Sequence, residues 1–440
     1  MNIQEKLIIK NFFSITDFEW DIKGFNVLTG GMASGKSLAL KLLYFCEQVF
    51  ELTVFDTTIS KELFQKDNFL KKINERFNTI FLTKDPVSDY SNINIVYSYK
   101  LNKNESKQLL FDEETSFDLS AMYDGTIKQL RWSSKYIESK LETWQSFFNE
   151  ENTPELIERV RNRVFESIAT DFSNSFPLAA MFIPASRAIA AITSVIRSRD
   201  PFIEEFLSLK EFTLSFYDIG GISSAEVNKI LQFQDISIDE EKGKQPVFKL
   251  LNGRNISSLE LSSGQQELLY LLLLINDLKR TGFKYGYNAS IFIEEPSAHL
   301  FPKEQKDTVE FLVSSFNKLQ EQKGNNPGHR FFVSTHSPYL LNSINNLMEK
   351  DRLKKVAENI DNSDAKKAII SKIEALQFPH LSIDYVSAYM IKDGHVKSMI
   401  NNEDGEPYIY SEVIDQISQE ITEGTEKLYN INNEIKNLFS

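Results

Sequence analysis

The stretch Leu28-Thr-Gly-Gly-Met-Ala-Ser-Gly-Lys-Ser37 leaves few folds open to the chain. The apolar run Gly24–Leu28 before it reads as a short buried strand, and Leu38–Phe50 after it reads as an amphipathic helix. Gly30, four intervening residues and then Gly35-Lys36-Ser37 fit the pattern G-x-x-x-x-G-K-[ST]. Glycines let the backbone turn tightly, so that several N–H groups converge on one anion. The N-terminus of the following helix adds its dipole. Gly30, Gly31, Ser34, Gly35, Lys36 and Ser37 are therefore the candidate cradle for a polyphosphate. Lys36 reaches the β- and γ-phosphates, and the Ser37 hydroxyl ligates Mg²⁺. A glycine-rich turn with an incidental lysine is the bland alternative, and the strand before and helix after argue against it.

Two acids end a second apolar strand, Ile291-Phe-Ile-Glu294-Glu295. Ligands sit at the carboxyl ends of strands in open α/β sheets. Phosphoryl transfer to water needs one group to hold the metal and one to orient and deprotonate the water. Glu294 is assigned to the metal and Glu295 to the water; a solvated strand end is the alternative. Leu261-Ser-Ser-Gly-Gln265 stands at the start of the apolar helix Glu267–Leu278, where Ser263, Gly264 and Gln265 form a second candidate anion site. Ser262 or Ser263 can equally cap that helix. His336, in Ser334-Thr-His-Ser-Pro338, follows another short strand and can contact a γ-phosphate or serve as a hydrogen-bonded structural histidine.

The remaining pattern is that of a large globular chain. Its 440 residues suffice for two or three domains, and 41% hydrophobic with 25% charged residues is ordinary. A net charge of -13 disfavours a surface coated in nucleic acid. Arg159, Arg161 and Arg163, with Arg187, Arg197 and Arg199, are either a local phosphate-tracking surface or solvated helix faces. The single cysteine, Cys46, excludes an internal disulfide and suggests a reducing compartment. No apolar run approaches the length of a membrane span, so a cytoplasmic location is the expectation. Alternating strands are expected at 3–9, 15–28, 92–101, 109–119 and 126–132, with helices over 60–78 and 134–176. After residue 180 strands and helices alternate, as in a parallel sheet flanked by helices. The expected class is α/β, with a mixed or parallel core sheet, an antiparallel β layer and helical insertions. The expected division is a core of 1–50 and 177–400, an insert of 51–176 and a C-terminal helix within 401–440. That helix carries an isoleucine-rich stripe from Ile414 to Leu438, which packs on the core or docks a partner.

Taken together and in order, GGMASGKS, LSSGQQELL, IFIEEPSAHLFP and FFVSTHSPYLL resemble the Walker A, signature, Walker B with D-loop, and switch-histidine motifs of ABC-type ATPases. The spellings EEPSAHLFP and STHSPYLL are similar to the soluble AAA-type branch related to RecF, SMC-type heads and OLD-family proteins. The likeness covers about 1–50 and 255–345. It implies two subunits meeting head to head around two ATP molecules, or a higher homo-oligomer. Lys36, Glu295 and His336 would be catalytic, Ser37 and Glu294 would face Mg²⁺, and Ser263 and Gly264 would close over the partner's γ-phosphate. Ser297–Leu300 would be the D-loop. The signature reads LSSGQ where LSGGQ is usual, and the first Walker B acid is Glu where Asp is usual. Arg187 is a candidate nucleotide or interface contact.

The resemblance also bears on use. No span fits a transporter, and no sustained heptads fit the long arms of many DNA-repair ATPases. The residues after His336 show no Glu followed by Asp-x-Asp, the metal set of a Toprim nuclease. The favoured expectation is a stand-alone ATPase that senses and scaffolds for a separate effector, such as a Toprim nuclease, in two-component anti-phage systems such as PARIS. A RecF- or SMC-like ATPase in DNA repair, with DNA as a partner, is the alternative.

Overall fold

The computed structural model describes residues 2–50, 60–81, 92–102, 114–124, 129–148, 154–185, 236–239, 247–250, 252–256, 262–281, 288–323, 328–403 and 406–410. Arg187, Arg197, Arg199 and the expected C-terminal helix lie outside them.

Five parallel strands make the centre. They are β3 (Phe25–Gly30), β7 (Pro177–Ile183), β11 (Asn288–Glu294), β12 (Arg330–Thr335) and β13 (Val386–Lys392), in the spatial order β13-β3-β12-β11-β7. Parallel strands are covered on both faces, and these are. Leu28, Phe292 and Phe332 face one core, with α1 (Lys36–Glu47) over them. Phe25, Val27, Ile291, Ile293, Phe331 and Val333 face the other. That second core is closed by α5 (Ser263–Thr281), α6 (Pro302–Lys323) and α7 (Pro338–Glu358). A Phe292–Phe332 ring stack at 4.5 Å and a Tyr44–Phe292 edge contact at 5.7 Å fasten α1 to the sheet. Cys46 is fully buried on this helix, as a packing role requires.

The antiparallel strands expected beside the core are continuous with it. The order β6-β5-β4-β1-β2-β14 extends the same sheet to eleven strands, using β1 (Asn2–Phe12), β2 (Ile15–Asp21), β4 (Asn94–Asn102), β5 (Glu114–Asp124), β6 (Gln129–Ser133) and β14 (His395–Ser398). Three helices, α2 (Lys66–Phe81), α3 (Lys135–Gln145) and α4 (Pro154–Asp171), pack on this part and share one hydrophobic core with α1. Phe45 meets Phe77 and Trp132, while Phe50 meets Phe117, Trp144 and Phe176. Pro154 opens α4, where its missing N–H costs no helical bond. A separate three-stranded antiparallel sheet is formed by β8 (Ile236–Asp239), β9 (Val247–Leu250) and β10 (Asn255–Ile256). The remaining described elements are α8 (Ser363–Glu374), the small hairpin β15 (Ile400–Glu403) with β16 (Glu406–Ile409), and two short 3₁₀ turns, Lys61–Phe64 and Ile383–Tyr385. No described helix is long and apolar enough to cross a membrane.

One difference from the sequence reading matters for the site. Residues 15–28, read as one strand, break at Ile22–Gly24, and β13 and β14 insert between the two halves. Asn26 makes the break. Its side chain accepts from Lys23 N at 2.8 Å and donates to Lys23 O at 2.7 Å and Phe331 O at 3.1 Å. Ser387 of β13 donates to the Asn26 side chain at 2.7 Å and accepts from Trp20 Nε1 at 3.2 Å. A buried polar chain thus stitches the inserted strand to both halves.

At the opposite ends of the central strands lies a buried charge cluster. Arg330 pairs with Glu5, and its Nη2 lies 3.8 Å from Glu47 Oε1. Tyr97 donates to Glu5 Oε1 at 2.7 Å. Burial pushes the Glu47 carboxyl well above the usual carboxylate range, since Glu5 already takes up the one guanidinium charge. The native state then keeps a proton that the unfolded chain releases, so stability falls as pH rises through the ordinary carboxylate range. Glu47→Gln removes that slope. The variant should exceed the wild type in urea-denaturation midpoint near about pH 7.5, with the gap narrowing by about pH 4. An equal gap at both pH values would show that Glu47 titrates normally.

Candidate functional site

The carboxyl ends of β3, β12 and β11 bring the phosphate-loop, histidine and acidic motifs together. The loop departs from β3 through left-handed backbone at Gly30 (φ 148°), Ala33 (φ 57°) and Gly35 (φ 105°). A Cβ on Gly30 would collide with the carbonyl of Ile391 in β13, and one on Gly35 would stand 2.9 Å from Ile15. Glycine is required at both positions for shape and for space. Gly35 is the N-cap of α1 and has no side-chain cap, so the first N–H groups of that helix remain available to an anion.

Lys36 lies over this loop. Its Nζ donates to Gly30 O at 2.8 Å and Gly31 O at 2.9 Å, and stands 3.9 Å from Glu295 Oε1. Burial pushes the Lys36 ammonium down from its ordinary value, against the pull of Glu295 and Glu294. Ser37 is exposed beside it.

Glu294 and Glu295 are neighbours in sequence and diverge in space. Glu294 ends β11, is buried, and accepts from Ala185 N at 3.3 Å, next to β7. Glu295 adopts a left-handed conformation (φ 44°) and donates its N–H to Ser334 O at 2.9 Å. This kink turns its carboxylate the other way, toward β12 and β3. There Oε2 accepts from His336 Nδ1 at 2.9 Å and is 3.3 Å from His336 N. Lys36, Glu295 and His336 therefore form one chain of contacts across three strand ends. It places a carboxylate, able to accept a proton, beside a cation and an imidazole.

The third motif folds as its capping alternative describes. Ser262 N donates to Gln265 Oε1 at 2.8 Å and Gln265 N to Ser262 Oγ at 3.3 Å, a reciprocal capping box on α5. Gly264 packs against the loop after Glu295: a Cβ there would meet His299 O at 2.6 Å. The signature stretch, with Ser263 as the first residue of α5, is held by the 297–300 loop of its own chain.

Several features fit a nucleoside triphosphate with a divalent ion. Thr29 Oγ1, Ser34 Oγ and Ser334 Oγ are buried at the strand ends and loop without hydrogen-bond partners among the described residues, and such hydroxyls ordinarily find one. An open cleft of 640 Å³ runs from His336 along Gly30–Ser34. Among the described residues no three His, Cys, Asp or Glu side chains gather as a metal site. Mg²⁺ needs no such cage, since it keeps several waters and takes one or two protein ligands beside phosphates, a role open to Ser37 and Glu294.

Two features escaped the sequence reading. Ala185 anchors Glu294, and the β13–β14 hairpin walls the cleft. Asp393-Gly394 is a dipeptide that favours a tight hairpin turn, but nothing local in the sequence reports the hairpin's position beside Gly30.

Among solved structures, the chain is similar to an SMC head bound to the C-terminal winged-helix domain of ScpA, at 13% identity and TM-score 0.41, covering 90% of this chain and 96% of that one. It is also similar to the SMC head domain from Thermotoga maritima, at 11% identity and TM-score 0.37, covering 90% and 98%. Both likenesses are loose. No curated protein matches by sequence. The AAA ATPase domain model matches residues 55–341, well over half of the chain and including Glu294, Glu295 and His336. With the phosphate loop just ahead of the matched residues and its lysine 3.9 Å from Glu295, the chain belongs to the AAA ATPase domain family.

Proposed function

We propose that this chain is an ATP-hydrolysing switch subunit that dimerises head to head and controls a separate effector. The observation that carries the reading is the contact chain Lys36–Glu295–His336 at the mouth of the phosphate loop. In this reading the loop and Lys36 hold the triphosphate, with Ser37 and Glu294 toward Mg²⁺. Glu295 accepts the proton of the attacking water, and His336 contacts the γ-phosphate and orients Glu295. Ser263 and Gly264 complete the site of a second copy. Exposed apolar side chains near the motifs favour a covered face: Met32 of the phosphate loop is 94% exposed, Phe301, next after the 297–300 loop, 79%, and Tyr339, three residues past His336, 52%.

For the effector we favour a nuclease, in bacterial anti-phage defence. The support is the resemblance of EEPSAHLFP and STHSPYLL to OLD-family ATPases. Purification with the products of neighbouring genes, with and without ATP, tests this. Co-elution of a Toprim protein supports it, and ATP-dependent DNA binding without any protein partner favours repair.

The division of roles predicts a split between two variants. Lys36→Ala should lose ATP binding by equilibrium dialysis. Ser263→Arg should bind ATP within about twofold of wild type yet hydrolyse it at least about 100-fold more slowly, as expected when one transition-state donor is removed. Equal loss of binding in both would defeat the assignment of Ser263 to the partner's site.

A further inference from the structure

The phosphate cleft has a second wall that the ATPase motifs do not explain. The β13–β14 hairpin turns through Asp393 (φ 52°) and Gly394 (φ 77°). Two consecutive left-handed residues make the tight hairpin turn that Asp-Gly favours. This turn does not project into solvent. Gly394 O accepts from Thr16 N at 2.8 Å and Asp17 N at 3.0 Å, locking the tip onto the β1–β2 turn. A Cβ on Gly394 would stand 2.5 Å from Thr16 Oγ1. On the loop side, the Ile391 carbonyl fills the space a Gly30 side chain would need, and Ser14 Oγ lies 3.0 Å from the Cβ position of Gly35. Through Ile391 the hairpin meets the phosphate loop at Gly30, and the Ser14–Ile15 segment to which its tip is bonded meets the loop at Gly35. Ser14, Lys392 and Asp393 all line the 640 Å³ cleft.

A triphosphate cradled by Gly30–Ser37 would carry its ribose beyond the α-phosphate, on the side away from Lys36. From His336 the cleft runs along the loop to Asp393. Asp393 is exposed, and an ionised carboxylate only accepts hydrogen bonds. The 2′- and 3′-hydroxyls of a ribose are donors that match it. A bare carboxylate beside a polyphosphate would repel it; Lys392, next in sequence and on the same wall, offsets that charge.

We propose that the Asp393 carboxylate accepts from the ribose hydroxyls of the bound nucleotide, making the hairpin tip a ribose-selecting element. This rests on the nucleotide reading of the phosphate loop. It assigns Asp393 a role that turn geometry alone does not require, because Asn serves equally well at a left-handed position.

The test compares ATP with 2′-deoxy-ATP by isothermal titration in the full chain. Wild type should prefer ATP by about tenfold, the worth of a hydrogen bond to a charged group. Asp393→Gly keeps the turn, since glycine takes the left-handed conformation of Asp393 (φ 52°) without a side-chain acceptor, and should lower the ratio to near one by weakening ATP alone. Thermal melting of the apo-protein should change little. An unchanged ratio in Asp393→Gly, or a wild type indifferent to the 2′-hydroxyl, overturns the proposal and leaves the nucleotide reading standing. Failure of wild type to bind either nucleotide overturns both. Lys36→Ala is the control that should lose both ligands together.

Discussion

Glu295→Gln should bind ATP as wild type does, hydrolyse it about 10²–10⁴ times more slowly, and accumulate as an ATP-bound dimer. The amide is isosteric with the carboxylate and still accepts from His336 Nδ1, which lies 2.9 Å from Oε2 in the wild type. It cannot take a proton from water. The substitution also removes a negative charge 3.9 Å from Lys36 Nζ, which leaves more of the ammonium's field for the phosphates. Binding should therefore be retained or tightened while chemistry fails. Single-turnover hydrolysis and light scattering at saturating ATP and Mg²⁺ measure the two effects separately. A variant that hydrolyses at the wild-type rate would remove Glu295 from the chemistry. One that stays monomeric with ATP bound would defeat the head-to-head reading.

The second large effect is on stability. Arg330→Met should cost about 3–5 kcal/mol, because it strands the buried Glu5 carboxylate without its guanidinium partner, beside the buried Glu47 carboxyl. The Arg330 side chain is 10% exposed, that of Glu5 1% and that of Glu47 0%. Water cannot reach them to replace the lost charge. Adding Glu5→Gln and Glu47→Gln to the same chain should restore most of the loss, since buried ionic clusters replaced as a unit are often neutral. The glutamine at position 5 also keeps an acceptor for Tyr97. Equilibrium urea denaturation of the single and triple variants reads both numbers. Equal stability of wild type and Arg330→Met would show that the cluster carries no charge pairing.

The contrast between these residues explains what the sequence made legible. The meeting of Lys36, Glu295 and His336 was foreshadowed in the sequence because each lies at a strand or helix end within a short motif of particular residue types. Glu5 and Arg330 pair across more than 300 residues of chain, and each alone reads as a solvated surface charge. The strands of the first hundred residues were legible by alternation. Their continuity with the parallel core was not, because the joining partners, Asp17 of β2 and His395 of β14, carry no mark of each other. The break at Asn26 was hidden for a similar reason. Residues 15–28 are apolar enough for one strand, and only the arrival of Ser387 reveals why an asparagine sits there. Ser262 and Gln265 show the opposite case: a capping box was fully local, and the sequence already contained it.

The strand that flanks the phosphate loop on its outer side is β13, whose Ile391 lies against Gly30. About 360 residues separate the two. During synthesis at roughly 5–20 residues per second, the loop leaves the ribosome about 20–70 s before the strand that completes its surroundings. A partly made chain carries the lysine and glycines yet lacks the neighbour that shapes them. On the proposed reading, nucleotide capture is thereby postponed until β13 has been translated. A product interrupted before that point would emerge with an incomplete pocket, and on the same reading would be silent as a switch rather than constitutively active.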